Sequence, residues 1–103
     1  MSKYNAVPTY VDGYRFASKA EARRYEQLKL LVKAGVITHL ELQPKYILTA
    51  GISYIADFCY YQNGKPVAED VKGKATEVFK LKAKLFHHCY PSVELRIIPA
   101  NEV

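Results

Sequence analysis

The sequence predicts a mixed α/β (α+β) domain of order α-β-β-β-α-β: a helix, a three-stranded antiparallel meander, a second helix and a crossover strand, preceded by an N-terminal β-hairpin. Three observations support this order. Asp12-Gly13 and Asn63-Gly64 each stand between β-prone residues, as two-residue hairpin turns require. Two amphipathic stretches carry helix start and stop signals. An alternating run, Val93-Glu94-Leu95-Arg96-Ile97-Ile98, follows the second of them.

The elements follow in order. Pro8 to Phe16 forms a small hairpin turning at Asp12-Gly13, so that residues 1–17 make an N-terminal flap. Ser18-Lys19-Ala20-Glu21 reads as a capping box, and the helix it starts runs to Ala34, where Gly35 supplies the left-handed residue that ends it. Val36 to Leu48, interrupted by Pro44, and Ile52 to Tyr61 are two strands joined through Thr49-Ala50-Gly51. Lys65 to Lys72 returns from Asn63-Gly64 as the third. From Ala75 to Cys89, the residues Val78, Leu81, Leu85 and Cys89, with Phe86, recur at helical spacing, with Lys74, Lys80 and Lys84 opposite. Tyr90-Pro91 stops this helix, and the strand after it rejoins the sheet by a crossover expected to be right-handed.

A chain of 103 residues, 50% hydrophobic and 24% charged, with no repeat or linker, suits one domain, residues 1–103. No run of 18 apolar residues could span a bilayer, and Met1-Ser2-Lys3-Tyr4-Asn5 lacks a signal-peptide core, so a cytoplasmic protein is expected. The net charge of +5 favours a nucleic-acid partner. Cys59 and Cys89, 30 residues apart, write neither a disulfide framework nor a zinc knuckle. His39, His87 and His88 lack metal-ligand spacing.

The Asn63-Gly64 turn sets a register. Gln62 faces Lys65, and counting outward brings Asp57 opposite Asp70 at a non-hydrogen-bonded position, where side chains lie closest. Two carboxylates ~5 Å apart at an effective dielectric of ~20 repel by about 3 kcal/mol, more than an ordinary cross-strand pair is worth. Lys72, two residues beyond Asp70 and on its face, can offset that, and so can a divalent cation. Ile55, Cys59 and Ala68 make the rest of the face apolar. Glu21 adds a third acid, since it aligns with Tyr25, Leu28 and Val32 on the helix stripe facing the sheet; its other role is the cap bond to Ser18. Acids with a lysine at a core edge are the parts of a metal-dependent phosphodiesterase, the alternative being a salt-bridged strand pair.

Asp57, twelve intervening residues and then Asp70-Val71-Lys72 resemble the PD-(D/E)xK nuclease motif, with Ala56 in place of its proline. Glu21 resembles that superfamily's additional acid, and the element order resembles its restriction-endonuclease-like core. More narrowly, Asp12-Gly13-Tyr14-Arg15-Phe16, Ser18 to Tyr25, Leu42-Gln43-Pro44, Ala56-Asp57-Phe58 and Glu69-Asp70-Val71-Lys72-Gly73 resemble a phage and prophage family of unknown function grouped with these nucleases, over nearly the whole chain. The resemblance implies Mg²⁺ or Mn²⁺ on Asp57, Asp70 and the Val71 carbonyl, with Glu21 direct or through water. It implies that Lys72 orients or deprotonates the attacking water. It implies a DNA endonuclease of phage origin, with branched and single-stranded DNA as candidate substrates and a homodimer as candidate assembly, by analogy with small junction-resolving endonucleases.

Arg23, Arg24, Lys74, Lys80 and Lys84 are candidate phosphate contacts, with Tyr14, Tyr60 and Tyr61 as stacking or packing partners. Gln43 falls opposite Asp57 if Leu48 pairs with Ile52. Lys82 lies within the apolar sector of the second helix and can reach a phosphate or merely snorkel. The alternative function is a non-cleaving nucleic-acid-binding accessory protein in phage replication, recombination or packaging; a third is a structural module whose acids only pair with Lys72.

Overall fold

The computed structural model describes residues 7–103, so the opening Met1-Ser2-Lys3-Tyr4-Asn5 lies outside the described residues. The chain is α+β: a hairpin of β1 (Thr9–Val11) and β2 (Tyr14–Phe16), then α1 (Lys19–Lys33), β3 (Thr38–Leu42), β4 (Lys45–Ile47), β5 (Ser53–Ile55), β6 (Phe58–Gln62), β7 (Lys65–Lys72), α2 (Glu77–Cys89) and β8 (Glu94–Pro99), closed by a 3₁₀ turn at Ala100–Glu102. A four-stranded sheet, ordered β3-β6-β7-β8, is antiparallel except for the parallel β7/β8 pair that the crossover through α2 creates.

Turn chemistry gives the expected result at three places. Asp12-Gly13, Ala50-Gly51 and Asn63-Gly64 all have both residues at positive φ, between 53° and 80°, which matches the twist of the strands they join. The β6/β7 ladder runs from Gln62 opposite Lys65 to Phe58 opposite Glu69, and the Asp57 N–H continues it by donating to the Glu69 carbonyl at 3.0 Å. Ser18 caps α1 by accepting from the Glu21 N–H at 3.1 Å, and Gly35 follows its end at φ 76°.

Two expectations need correction. The strands Val36 to Leu48 and Ile52 to Tyr61 are each broken, at Gln43-Pro44 and at Ala56-Asp57. The outer halves, β4 and β5, leave the main sheet as a separate two-stranded ribbon. Gln43 takes φ 52° beside Pro44, which has no N–H for a ladder, and the bend passes to the facing strand through the Gln43 N–H to Asp57 carbonyl bond (2.9 Å) and the Ala56 N–H to Pro44 carbonyl bond (3.1 Å). The second helix begins at Glu77, not Ala75, and its buried residues are Phe79 and Phe86. Val78 and Leu81 are exposed, because the core on this side is filled by the two rings with Leu48, Tyr54 and Ala68.

Each face of the sheet carries one helix. Period-2 alternation sends Val67 and Val71 of β7 to a core with Phe58, Tyr60 and the α1 residues Ala22, Tyr25 and Leu28. Ala68 points the other way, to a core with Phe79, Phe86, Leu48 and Tyr54. The ribbon is held on α2 by aromatic packing: Tyr46 meets Phe86 edge-on at 4.9 Å, and the Tyr90 hydroxyl donates to the Ile47 carbonyl at 2.9 Å. Val32, assigned to the α1 stripe, is exposed.

Glu69 shares the α1-facing side and is fully buried. Arg24 meets it as a bidentate fork, Nε to Oε1 at 2.7 Å and Nη2 to Oε2 at 2.8 Å, and the Tyr60 hydroxyl also donates to Oε2. Arg96 extends the network by donating to the Tyr60 hydroxyl (3.4 Å) and to Gln62 (2.9 Å). Arg24 is therefore not a free phosphate contact, because its guanidinium is committed to neutralising a buried carboxylate. Tyr60 is a packing residue on the same grounds. Arg24→Ala should cost about 3–5 kcal/mol in urea denaturation, since it strands the Glu69 charge in the core; a loss within 0.5 kcal/mol, on the order of a surface change, would show that Glu69 needs no partner.

Candidate active site

The register that buries Glu69 toward α1 turns Asp70 and Lys72 toward α2, with Val71 between them in the opposite core. Asp70 is 3% exposed. The strand break at Ala56-Asp57 leaves Asp57 at the first position before β6, where its carboxyl touches that of Asp70 and its Oδ2 accepts from the Val71 N–H at 2.7 Å. Asp57 and Asp70 thus meet as expected. Val71 joins the pair through its N–H, a contact that fixes the Asp57 rotamer.

Lys72 Nζ stands 3.8 Å from Asp70 Oδ2 and 4.4 Å from the Phe79 ring centre. It is close enough to offset the acid electrostatically but not clamped by a short hydrogen bond. The Tyr54 hydroxyl, reaching across from the ribbon, donates to the same Oδ2. Burial and the neighbouring Asp70 charge hold the Tyr54 phenol well above its usual range.

Glu21 stands in the first turn of α1, within electrostatic range of Asp70. It retains its cap geometry, with the Ser18 hydroxyl donating to Oε2 at 3.4 Å. It also feels the acids: desolvation raises its pKa, hydrogen bonds from Ser18 and the Ala17 backbone oppose that, and the Asp70 charge adds to the rise. Its hydrogen bonds are those of the cap, and the acids act on it only through their charge.

The pair itself is electrostatically strained. Desolvation, then the Asp70 contact and charge, then Glu21, raise the Asp57 pKa to about 9, against the Val71 N–H, which lowers it. Burial and the neighbouring acid thus favour the protonated form of Asp57. Among the described residues, no three His, Cys, Asp or Glu side chains are placed to hold a metal ion together. The donor set for a cation is the two aspartates, two hard oxygen ligands suited to Mg²⁺ or Mn²⁺, which binds such sites through few carboxylates and several waters.

The outer candidates divide. Arg23, Lys74 and Lys84 are exposed, and Lys80 is exposed but bonds Glu77 at 3.2 Å. Lys82 is half-buried and lines a cleft of about 340 Å³ with Lys72, Tyr54, Phe79, Ser53 and Thr76. Gln43 lies opposite Asp57 in register, linked by its backbone N–H, but its side chain makes no hydrogen bond among the described residues. Tyr14 and Tyr61 are exposed, Tyr61 edge-on to His39 at 5.6 Å. Ile55 is exposed and no longer on the Asp57 face, a consequence of the strand break.

Sequence reasoning missed Tyr54 and Glu69. Nothing local announces that the break re-aims Tyr54 at Asp70. Glu69 did have a signal: alternation along Lys65 to Lys72 sets it between Val67 and Val71, and a charge in that row requires a buried partner.

Residues 1–101 match the model of a protein family described as "Protein of unknown function (DUF1064)". No curated protein matches the chain. No helix among the described residues is long and apolar enough to cross a membrane.

A retained proton on Asp57 fixes the sign of a pH effect. Between the ordinary aspartate range near pH 4 and about pH 9, the unfolded chain has lost that proton and the folded one has not. Stability of the metal-free protein should therefore fall as pH rises through this window, read as a falling Tm. Asp57→Asn, whose amide can donate to Asp70 while its oxygen accepts from Val71, should remove this dependence and raise Tm at pH 8. Identical denaturation curves from pH 5 to pH 9 in the wild type would rule out the retained proton.

Proposed function

We infer for this chain, which belongs to the DUF1064 family, the activity of a metal-dependent DNA endonuclease that hydrolyses phosphodiester bonds. The observation that supports this reading is the contact of the Asp57 and Asp70 carboxyls beside the weakly engaged Lys72 ammonium, which itself lines a cleft with a second lysine, Lys82. A pair of buried aspartates in contact is costly to the fold. Binding of a divalent cation would favour the ionised form of both carboxylates and so offset that cost.

Mg²⁺ or Mn²⁺, when bound, supplies charge neutralisation at the phosphate and lowers the pKa of the attacking water. The chain's residues do the rest. Asp57, Asp70 and the Val71 carbonyl would hold the cation, with Glu21 assisting directly or through water. Tyr54 and the Val71 N–H lock the two carboxylates in place. Lys72 orients the water and stabilises charge on the phosphoryl oxygens. Water oxygen bonds to phosphorus as the bond to the 3′-oxygen breaks; one water proton is lost to solvent and the leaving 3′-oxygen takes one up, so that a 3′-hydroxyl and a 5′-phosphate are left. Arg23, Lys74 and Lys84 are the exposed cations available for sequence-independent backbone contacts. By its likeness to phage nucleases, the enzyme is read as phage-derived, acting in the host cytoplasm.

Purified protein should nick or cut plasmid, single-stranded DNA or a four-way junction in Mg²⁺ or Mn²⁺ and not in EDTA. Asp57→Asn, Asp70→Asn and Lys72→Ala should each lower the rate by at least about 10²-fold, as for loss of a principal catalytic group, while DNA binding persists. Binding without cutting in the wild type would instead favour the non-cleaving accessory protein.

A further inference from the structure

The cleft beside the acids differs chemically from a surface meant for duplex DNA. Its floor is Phe79, 8% exposed, and its polar groups are Lys72, Lys82, the Ser53 and Thr76 side chains and Tyr54. Its two lips are apolar: Ile55 on β5 is 58% exposed and Val78 on α2 is 66% exposed, with Leu81 at 58% a turn further along. On α2, Lys80 is turned outward to Glu77, whereas Lys82 is the lysine that lines the cleft.

A duplex presents hydrated phosphates and sugars at its surface and keeps the apolar faces of its bases stacked inside. Exposed isoleucine and valine gain nothing from that surface. An unpaired nucleotide offers both chemistries at once, a flat apolar base and an adjacent phosphate, which is the combination that single-strand sites meet with an apolar or aromatic platform beside cations. We propose that the cleft between β5 and α2 binds one unpaired nucleotide of a DNA strand, its base between Ile55 and Val78 and its phosphate at Lys82. The choice of DNA as the polymer rests on the nuclease reading. The site would select single-stranded or locally unpaired DNA over intact duplex.

Binding of fluorescein-labelled (dT)12 and of a 12-base-pair duplex, measured by anisotropy in Ca²⁺, tests this apart from cutting. The wild type should hold (dT)12 at least about fivefold more tightly than the duplex, the low end of what one stacked base contributes. Lys82→Ala should lower the salt slope for (dT)12 by about 0.7, the single-strand value for one lost phosphate contact. The exposed-site variant Ile55→Ser/Val78→Ser, which disturbs no core, should bring (dT)12 down toward the duplex value. Equal binding of strand and duplex, no binding of either, or full (dT)12 affinity in the Ile55→Ser/Val78→Ser variant would overturn the proposal. Metal-dependent plasmid cutting without strand preference removes the cleft assignment and leaves the nuclease standing; strand preference with no cutting does the reverse.

Discussion

The molecule is organised by the register of β6 on β7. The Asn63-Gly64 turn sets it, with both residues at positive φ, and from there each step along β7 assigns a side chain to one helix or the other. Glu69 goes to α1 and into the Arg24 fork; Asp70 goes to α2 and into contact with Asp57. A slip of one residue would exchange them, leaving Arg24 without its acid and placing a glutamate where the shorter aspartate fits. The buried ion pair, of doubtful value as a source of stability in its own right, is well placed to penalise that slip. Positioning of the acid pair and integrity of the core are therefore consequences of one constraint.

Much of this could be read from residues. The turns at Asp12-Gly13 and Asn63-Gly64, the Ser18 cap and the Gly35 stop are local chemistry, satisfied within a few residues, and they appear in the fold where their types demand. The Asp57 and Asp70 meeting was legible because a two-residue turn leaves no freedom in counting. What was not legible depends on contacts between distant segments. The apolar face of α2 was legible in its second half, where Leu85, Phe86 and Cys89 pack as expected, but not in its first, where Phe79 rather than Val78 and Leu81 meets the core. Pro44 was visible as an interruption. Its effect on the facing strand at Ala56-Asp57, and hence the arrival of Tyr54 at Asp70, passes through backbone hydrogen bonds that no single segment encodes.

The acid pair and the ion pair contrast two ways of burying carboxylates in one strand. At Glu69 the charge is met by two guanidinium nitrogens and a phenol, and the site is closed. At Asp70 the partners are a phenol, a neighbouring acid and a lysine held at a distance. The first arrangement has no unmet demand; the second has a standing deficit of positive charge. Adjacent residues on one strand thus divide architecture from chemistry.

Two non-glycine residues of left-handed backbone, His39 and Gln43, lie within and just beyond β3, which is an outer strand of the main sheet, and a register irregularity separates Thr38 from Glu41. At the opposite border, β8 ends in Pro99. An outer strand kinked at both ends is a poor template for a further strand, and a proline contributes no donor to one. The sheet therefore discourages growth by strand addition, which guards a half-apolar chain against edge-to-edge aggregation. Dimerisation by strand addition is thus disfavoured at the β3 edge.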